Sequence, residues 1–491
     1  MFLQVFVAFW AIFLFHQLYW RRRGLPPGPI PYPIIGNIPQ LDPNNIEKQL
    51  LQWKKKYGNV ITVWMPDPQI VVGDVETMKE FLRNSEAYAG RPTFNLMKFF
   101  VGGNYGLVFS DDSFWKSQRR FALHVLRDFG FGKPILENTI IDQANEMTKS
   151  LKELNGKPIE MTKIITTAVG NIIHQLTFGW TVPLESDYIM NFRKNLLDAI
   201  EVFLHPIGFL CEIWKGFIVL DPLFNNILKK SLKKNDVIID EVKEEIKKHR
   251  ETIDYNSEPR DYIDAFLIEQ RRQKAENEAH GEWSDSQLIG AVYDLFGAGM
   301  ETTSSSTRAF ILYMINYPEI QKKIHEEIDQ EIGRDRAITM SDQVKLPYLQ
   351  ACIQELQRIA VLLALNVQHK TTEEVVIDGY RLPKGMTIIP QFPSVHLDEN
   401  HFKNPQQFDP TRHLNEDNRY MKNDKVTPFS VGKRSCLGES LARMELFLFI
   451  ANLFQNFEFK EEIEGKYPEL KFNLGFIKSP AVFNTRAIYR V

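Results

Sequence analysis

A single cysteine in a glycine-containing loop is the residue of this chain whose surroundings point most directly to chemistry. The loop FSVGKRSCLG, residues 429–438, places Cys436 directly before a strong helix pattern over residues 439–450. At a helix start, the helix dipole and free backbone N–H groups favour thiolate over thiol, and the thiolate is the form that binds metal ions. Gly432 permits a tight turn, Gly438 lets the backbone pass close to a flat group, and Arg434 supplies a fixed cation. The loop therefore predicts a thiolate metal ligand.

A second segment, AGMETT at residues 298–303, could handle oxygen and protons. The hydroxyl of Thr302 can bond back to the preceding helical turn, which bends a helix and opens a local groove. Glu301 offers a proton source beside it, and Ala298 lies one turn earlier. Taken alone, the segment is more typical of an ordinary Ser/Thr-rich helix with a solvated acid. Beside a thiolate-bound metal, it predicts a proton relay.

Two pairs of polar side chains are spaced so that each pair lies on one helix face. Glu355 and Arg358 are three residues apart, which puts carboxylate and guanidinium on one helix face, although a lone pair of this kind is usually a surface ion pair. Trp115 and Arg119 place an indole N–H and a guanidinium one turn apart, and such donors suit a carboxylate.

These motifs together resemble a known family. The loop at residues 429–438 matches every fixed position of F-x-x-G-x-R-x-C-x-G, the haem-binding loop of the cytochrome P-450 monooxygenases, and four other segments match the family in the right order. The run GESLARMEL at residues 438–446 is similar to the family-2 microsomal enzymes of animals. The resemblance covers essentially the whole chain and implies the cytochrome P-450 fold.

The resemblance also implies a role for each matching residue. Cys436 is expected to be the axial ligand of a haem b iron, and Glu301 and Thr302 are expected to relay protons. The other positions expected to contact the cofactor are Trp115, Arg119, Ala298, His369 and Arg434. A structural cluster that holds the cysteine loop would consist of Glu355, Arg358 and Arg412. An apolar substrate pocket would be lined by Phe109, Phe203, Ala298, Leu363 and Phe476.

The reaction implied is insertion of one oxygen atom from O2 into a lipophilic small molecule: a fatty acid, a steroid or a xenobiotic. The thiolate would push electron density onto the iron and promote O–O cleavage. Electrons would come from a membrane-bound NADPH-dependent cytochrome P-450 reductase, with cytochrome b5 as an optional second partner. Candidate cations for docking such a partner are Lys116, Arg120, Arg127, Lys433 and Arg443.

Two alternatives use the same sequence differently. The first is a haem-thiolate isomerase or dehydratase that rearranges a peroxide without O2 or reductase, which has less need of an acid/threonine pair. The second is a haem-containing membrane protein that binds a lipid and turns nothing over. The intact pair Glu301 and Thr302, together with Cys436, argues against both.

The sequence departs from related family-2 enzymes at three positions. Ala364 and Gln368 stand where relatives usually carry prolines, so the strand that lines the pocket there is expected to run differently. Gly103 stands where relatives often have a propionate-binding arginine. These departures bear on the substrate pocket and the propionate contacts, and leave the iron chemistry untouched.

The elements that must position these residues are mostly helical. Residues 320–332, 140–151 and 239–246 show apolar stripes at helical spacing. Two hairpins are predicted: one over residues 60–72 with a Pro66-Asp67-Pro68 turn, the other over residues 375–382 around Asp378-Gly379, a pair that primed turns prefer. The fold class is thus mainly α with a small β portion (α+β).

Residues 1–20 are almost wholly apolar, enough to span a bilayer as a helix, and Arg21, Arg22 and Arg23 close the segment. We therefore expect an N-terminal membrane anchor at residues 1–20 and a basic and proline-rich linker at 21–43 that acts as a stiff spacer. Residues 44–491 are expected to form one haem-thiolate domain. This domain would face the cytosol from the endoplasmic reticulum membrane. The greasy stretch at residues 203–223 could be core or could be a second surface that dips into lipid.

Composition narrows the classes further. A net charge of -3 over 491 residues gives no reason to expect a nucleic-acid partner. The three cysteines (Cys211, Cys352 and Cys436) are widely separated, which argues against a disulfide framework or a structural zinc site.

Overall fold

The computed structural model describes residues 2–84, 86–130, 134–275 and 282–490. In chain order, the helices are α1 (Phe2–Leu18), α2 (Ile46–Tyr57), α3 (Val75–Asn84), α4 (Asn95–Phe100), α5 (Asp112–Asp128), α6 (Pro134–Glu153), α7 (Thr162–Phe178), α8 (Tyr188–Ile200), α9 (Pro206–Ile213), α10 (Ile227–Thr252), α11 (Tyr262–Ala275), α12 (Asp285–Asn316), α13 (Pro318–Glu331), α14 (Pro347–Ile359), α15 (Pro393–His396) and α16 (Glu439–Asn456). The longer 3-10 segments are Lys215–Phe224, Met340–Lys345, Glu201–Leu204 and Pro410–His413.

The strands are short. In chain order they are β1 (Val60–Met65), β2 (Asp67–Val72), β3 (Pro158–Glu160), β4 (His369–Lys370), β5 (Val375–Ile377), β6 (Tyr380–Leu382), β7 (Thr387–Pro390), β8 (Phe457–Glu461), β9 (Phe472–Asn473), β10 (Ser479–Pro480) and β11 (Asn484–Tyr489). Helices therefore dominate the described residues, and the predicted class, mainly α with a small β portion, is confirmed.

By its internal contacts the chain divides into two compact units that interleave in sequence. Unit 1 comprises Met1–Pro92, Leu363–Gln407 and Asp424–Cys436, and unit 2 comprises Thr93–Leu362, Phe408–Asn423 and Leu437–Val491. A linear search for linkers does not detect such a division, because each unit is assembled from distant segments. The prediction of a single domain at residues 44–491 stays a prediction.

Unit 1 is built on a four-stranded sheet in the order β1-β2-β7-β4. The β1/β2 and β4/β7 pairs are antiparallel, and β2/β7 is parallel, with Ile70 opposite Ile388. The runs of Val and Ile in these strands suit a sheet whose central strands are buried. Both predicted hairpins are present, although the first has a tighter turn than expected, since Asp67 and Pro68 already lie in β2.

The turn of the second hairpin has the backbone conformation that its residue types predict. Asp378 and Gly379 have φ values of 49° and 80° between Ile377 and Tyr380, which face each other. A two-residue primed turn requires positive φ at both positions, and Asp and Gly adopt it at little cost.

The predicted linker packs along the β1 edge of unit 1. The backbone N–H of Thr62 donates to Pro27 O at 2.9 Å, and the backbone N–H of Asn37 donates to Trp64 O at 2.7 Å. Arg21 lies over the ring of Trp64 at 4.8 Å. Much of residues 26–37 is therefore attached to the sheet within unit 1, where the sequence had predicted a stiff spacer.

Unit 2 holds the largest apolar core. The helices α12 and α16 are buried over most of their length, and Phe447, Phe449 and Phe454 of α16 are almost completely buried. The predicted stripes are confirmed: Ile140, Ala144, Met147 and Leu151 of α6 are buried, as are Ile320, Ile324 and Ile328 of α13, and Val242 and Ile246 of α10. A three-stranded antiparallel sheet, β3-β11-β8, accompanies this core.

The apolar stretch at residues 203–223 is partly core and partly exposed surface, and its contact with lipid stays a prediction. Ile207 and Cys211 are fully buried, whereas Trp214, Val219 and Leu223 are 60%, 75% and 79% exposed. One face of α9 belongs to the core, and the residues that follow it present a large apolar surface.

Candidate functional site

The cysteine loop of unit 1 folds back on itself and leaves the thiol accessible. The backbone N–H of Cys436 donates to Phe429 O at 2.8 Å, and that of Ser435 donates to Gly432 O at 3.1 Å. Cys436 is exposed, whereas Cys211 and Cys352 are buried, as expected for small hydrophobic residues. The helix α16 begins at Glu439 with Gly438 as its N-cap, so Cys436 lies two residues before the N-cap.

Glycine is required at one position of this loop by the chain itself. Gly432 has a φ of +83°, and a Cβ there would collide with the carbonyl oxygen of Leu82. Gly438 differs, because a Cβ at that position would meet no protein atom within 4 Å. The predicted tight turn at Gly432 is confirmed, and packing within the chain does not require the missing side chain of Gly438.

Two cofactor-binding candidates of unit 1 lie against neighbouring backbone carbonyls. Arg434 Nε donates to Ala89 O at 2.7 Å, and His369 Nδ1 bonds Tyr88 O at 2.8 Å. Both side chains are buried, at 6% and 3% exposure. Burial lowers the pKa of His369 well below its usual value, and the positive charges of Arg91 and Arg434 add to that effect. The structure thus places His369 and Arg434 side by side, which sequence spacing alone could not show.

In unit 2, the helix α12 carries an accessible stripe in an otherwise buried stretch. Ala298 is exposed and Thr302 is half-buried, whereas every residue from Thr303 to Ile315 is buried. The hydroxyl of Thr302 donates to Ala298 O at 2.7 Å, which confirms the predicted bond to the preceding turn. The helix nevertheless remains continuous from Asp285 to Asn316.

The neighbouring acid, Glu301, has a partner that the sequence did not suggest. It is 2% exposed, and its carboxylate accepts from Arg193 of α8, at 2.5 Å from Nε and 2.8 Å from Nη2. The hydroxyl of Ser305 donates to the same carboxylate at 3.1 Å. The carboxylate of Glu301 is therefore engaged by a bidentate ion pair. Its expected role beside Thr302 stays a prediction.

Helix α5 presents the other candidate pair. Trp115 is buried, and the guanidinium carbon of Arg119 lies 6.0 Å from the centre of its ring, so the two donors do share one face. Three of the candidate docking cations, Lys116, Arg120 and Arg127, are exposed on the same helix.

The Glu355 cluster is much more buried than a lone helix pair would suggest. Glu355 and Arg358 are both 0% exposed and share two hydrogen bonds, of 2.7 and 2.8 Å. Arg412 Nε is 3.3 Å from Glu355, as predicted, and the structure adds His413 Nε2 at 2.9 Å and the backbone N–H of Asp409 at 3.0 Å. Burial alone would raise the pKa of Glu355, but the bonds from Arg358 and His413 outweigh it and lower that pKa. The possibility of a surface ion pair is thereby excluded.

Two of the three aromatic residues predicted to line the substrate pocket pack against other aromatic side chains. Phe109 packs edge-on against Phe94 at 5.8 Å, and Phe203 packs against Phe100 at 5.3 Å. Phe476 is 44% exposed. In the part of unit 2 that the structure describes, no ring contact joins Phe109, Phe203 and Phe476 to one another. Leu363 falls in unit 1.

The loop before Phe109 is attached to α12 by two polar residues that the sequence analysis missed. Asp294 accepts from the backbone N–H groups of Leu107 at 2.6 Å and Val108 at 2.8 Å, and Gln287 Oε1 accepts from Gly106 N at 2.8 Å. Burial raises the pKa of Asp294 to about 6, against the effect of its two hydrogen bonds. Gln287 and Asp294 are seven residues apart, on one helix face, and that spacing could have identified them.

Two of the three departures from relatives, Ala364 and Gln368, lie in a segment of irregular backbone in unit 1. The strand β4 begins only at His369, and Asn366 has a φ of 54°. Ala364 O accepts from Gln391 Nε2 at 2.7 Å, and Gln368 O accepts from Arg91 Nη1. The segment between residues 363 and 368 is thus a loop held by side chains, and the expected difference from the relatives that carry prolines stays a prediction.

The donors of unit 1, namely Cys436, Arg434 and His369, fit haem. An accessible thiol suits an iron ligand, as expected of a haem-thiolate protein. Buried cations and N–H donors suit carboxylates, and the small side chain of Ala298 leaves room beside Thr302.

Comparison with known proteins agrees with this donor set. The sequence profile described as cytochrome P450 matches residues 26–484. The chain belongs to the cytochrome P450 family. It is 40% identical over 473 residues to the probable cytochrome P450 CYP36A1 of Caenorhabditis elegans, which covers 96% of each chain. It is 38% identical over 462 residues to cytochrome P450 2C5 of Oryctolagus cuniculus (94% of this chain, 93% of the other), and 37% identical over 453 residues to cytochrome P450 2C28 of Mesocricetus auratus (91% of each).

This cytochrome P450 is therefore a haem-thiolate monooxygenase. Its cofactor is haem b, its co-substrate is O2, and its electrons come from NADPH through a reductase. Of the three functions considered from the sequence, the family supports the monooxygenase.

Proposed function

We propose that Cys436 is the axial ligand of the haem iron, and that Arg434, His369, Trp115 and Arg119 bind the propionates. The accessible thiol in a loop fixed by its own backbone hydrogen bonds is the observation that carries this proposal. When bound, haem supplies the activation of O2. The residues of the chain orient it, exclude water and move protons. We assign the proton steps to the hydroxyl of Thr302. In this proposal, Glu301 is the acid that supplies protons to that hydroxyl.

The substrate in this proposal is a lipophilic small molecule: a fatty acid, a steroid or a xenobiotic. Phe109, Phe203, Leu363 and Phe476 would line its pocket together with Ala298. The aromatic pairs at Phe109 and Phe203 supply the apolar surface that such a ligand needs. The loop of Phe109 is held by Asp294, so the wall that it forms is attached to the helix of the proton relay.

The electron donor in this proposal is an NADPH-dependent cytochrome P-450 reductase, with cytochrome b5 as an optional second partner. Lys116, Arg120 and Arg127 support it because they are exposed on one helix, where they can attract an acidic protein surface. Lys433 and Arg443 are weaker candidates, since Lys433 is paired with Glu86 and Arg443 with Glu439, each at 2.9 Å.

We further propose that α1 anchors the protein in the endoplasmic reticulum membrane with its catalytic domain in the cytosol. The segment Phe2–Arg22 is long and apolar enough to cross a bilayer, and none of it is buried. Arg21, Arg22 and Arg23 follow the apolar stretch, as expected for its cytosolic end. The exposed Trp214, Val219 and Leu223 offer a second apolar surface for lipid.

Reconstitution tests these assignments together. The full chain would be placed in phospholipid vesicles with NADPH and purified reductase under 18O2, and supplied in turn with a fatty acid, a steroid and an aromatic xenobiotic. We expect one 18O atom in the product of at least one class, and no product from Cys436→Ala. Product formation without the reductase, or without label in the product, would contradict the proposal.

A charge-reversal variant tests the partner. Replacing Lys116, Arg120 and Arg127 together by glutamate should weaken reductase binding and make the remaining turnover less dependent on salt. Matched changes at Lys229, Lys230 and Lys233, which are exposed on α10, provide the control. Equal effects of both triples would refute docking on α5.

A further inference from the structure

Three side chains that can bind a metal ion come together in unit 2, outside the residues assigned to haem or substrate. Their ligand atoms, on His249, Asp261 and Asp264, all lie within 4.8 Å of one another, and all three residues are buried. We propose that this group, the His249 cluster, binds one zinc ion that joins the end of α10 to the start of α11. The proposal does not depend on the haem or on the substrate.

The orientation of His249 is typical of a metal ligand. Its Nδ1 bonds the backbone carbonyl of Glu245 at 2.7 Å, and its Nε2 lies 2.8 Å from Asp261 Oδ2. Histidines that bind metal ions are almost always held in this way, with one ring nitrogen bonded to a carbonyl or carboxylate and the other directed at the ion. His249 is 5% exposed, so the surrounding protein maintains the direction of the ring.

The two carboxylates are positioned by the start of α11. Asp261 Oδ1 accepts from the backbone N–H of Asp264 at 3.0 Å, while Oδ2 faces His249. Asp264 is paired with Arg260, at 2.5 Å from Nε and 2.9 Å from Nη2. The side chain of Arg260 is 49% exposed, whereas that of Asp264 is 3% exposed. Arg260 can therefore turn into solvent when a metal ion takes its place at Asp264, because water then hydrates the guanidinium.

A cavity beside the His249 cluster gives an ion a path of entry. It has a volume of about 320 Å³, and His249, Asp261 and Glu245 are among the residues that line it. The backbone at Gly179 also comes close to the cluster, since a Cβ there would lie 2.9 Å from Asp261 Oδ2. A glycine at this position leaves space beside the oxygen that faces His249. Three protein ligands leave one position of a tetrahedral zinc ion open, and water from the cavity can fill it.

The ligand set favours zinc over the other common divalent cations. Imidazole nitrogen and carboxylate oxygen both bind Zn²⁺ at about 2.0–2.2 Å in tetrahedral sites. Mg²⁺ and Ca²⁺ prefer six or more oxygen ligands, whereas the His249 cluster offers three ligands and one of them is a nitrogen. Its two carboxylates also match the charge of the ion, which a buried site requires.

Calorimetric titration with zinc chloride tests this site on the haem-loaded protein, after a chelator has removed bound metal ions. We expect one zinc ion to bind per chain, much more tightly than Mg²⁺, and the melting temperature to rise with the zinc concentration. Loss of an outer-shell partner weakens metal binding by about 10–100-fold, so His249→Gln, which removes a ligand, should weaken it at least as much. The matched control is His124→Gln, which should bind zinc as the wild type does, since His124 lies 3.4 Å from Asp128 in an exposed pair.

Arg260→Met provides a second test, whose expected result a folding defect cannot imitate. It removes the cation that competes for Asp264, so this variant should bind zinc several-fold more tightly than the wild type. Arg272→Met removes an equal charge from α11, where Arg272 is paired with Glu269, and should leave the affinity unchanged. The proposal is wrong if the wild type binds no zinc at micromolar concentrations or binds Mg²⁺ equally well. It is also wrong if folded His249→Gln binds zinc as the wild type does, or if Arg260→Met binds it no more tightly than Arg272→Met.

Discussion

Replacing Glu355 by glutamine should be one of the most destabilising single changes in unit 2. The carboxylate accepts five hydrogen bonds, two of them from Arg358 and the others from Arg412, His413 and the backbone of Asp409. Both Glu355 and Arg358 are 0% exposed. The substitution would keep the size of the side chain, but it would leave the guanidinium of Arg358 buried without its counter-charge.

The size of the effect follows from this burial. Five charge-assisted hydrogen bonds at about 1.5–3 kcal/mol each would sum to roughly the whole free energy of unfolding of a typical protein. The contributions of these bonds therefore cannot be additive. Loss of one partner of a buried ion pair typically costs about 3–5 kcal/mol. With an unfolding entropy near 2.1 cal/mol/K per residue over 491 residues, that free energy corresponds to a melting temperature lower by about 3–5 °C.

Thermal unfolding followed by circular dichroism would measure this change. The matched control is Glu326→Gln, whose carboxylate is 62% exposed and lies 3.7 Å from Lys322 Nζ, so its loss should cost no more than about 0.5 kcal/mol. Because hydrogen bonds lower the pKa of Glu355 in the folded state, its stabilising effect is present at neutral pH and is lost as the pH falls below about 4. The gap between wild type and Glu355→Gln should therefore narrow in acid. Equal melting temperatures for Glu355→Gln and Glu326→Gln at neutral pH would refute the reasoning.

Three further predictions concern the other parts of the site. Thr302→Ala should keep the haem but divert reducing equivalents to hydrogen peroxide, and an unchanged ratio of product to NADPH would count against the relay. Asp294→Asn should remove a pH dependence of stability. Since burial raises the pKa of Asp294 from 3.8 to about 6, the free energy of unfolding of the wild type should fall by about 3 kcal/mol as the pH rises through this window. Urea titrations should show that the free energy of unfolding of the variant changes less with pH. Gly432→Ala should incorporate less haem because its Cβ would collide with Leu82 O. The Cβ of Gly438→Ala, in contrast, would meet no atom of the chain. Equal haem content in Gly432→Ala and wild type would contradict the packing argument.

Features of the fold and the site that depend on residues close together in the sequence could be predicted. The Asp378-Gly379 turn was readable because few residue pairs accept positive φ at both positions. The bond from Thr302 to the preceding turn was readable because it spans only four residues. The helical stripes at Ile140 and Ile324 were readable from their spacing.

What the sequence could not predict depends on contacts between distant segments. Arg193 reaches Glu301 across 108 positions, and nothing in the local pattern of either helix names the other. His413 joins Glu355 from 58 positions away for the same reason. The burial of Glu355 depends on tertiary packing, which is why the spacing of Glu355 and Arg358 alone indicated a surface ion pair.

The docking of residues 26–37 on β1 was also hidden from the sequence. Prolines and glycines predict a spacer equally well whether it is free or held by hydrogen bonds to a strand edge. Here the carbonyl of Pro27 and the backbone of Asn37 find partners in Thr62 and Trp64.

The central claim, that Cys436 binds the haem iron as a thiolate, is tested most directly by absorption spectroscopy. The purified, dithionite-reduced protein would be recorded with and without carbon monoxide and compared with Cys436→Ala. We predict a strongly red-shifted Soret band in the wild type and its loss in the variant. If the intact, haem-loaded wild type lacks this band, or if the variant keeps it, Cys436 is not the ligand.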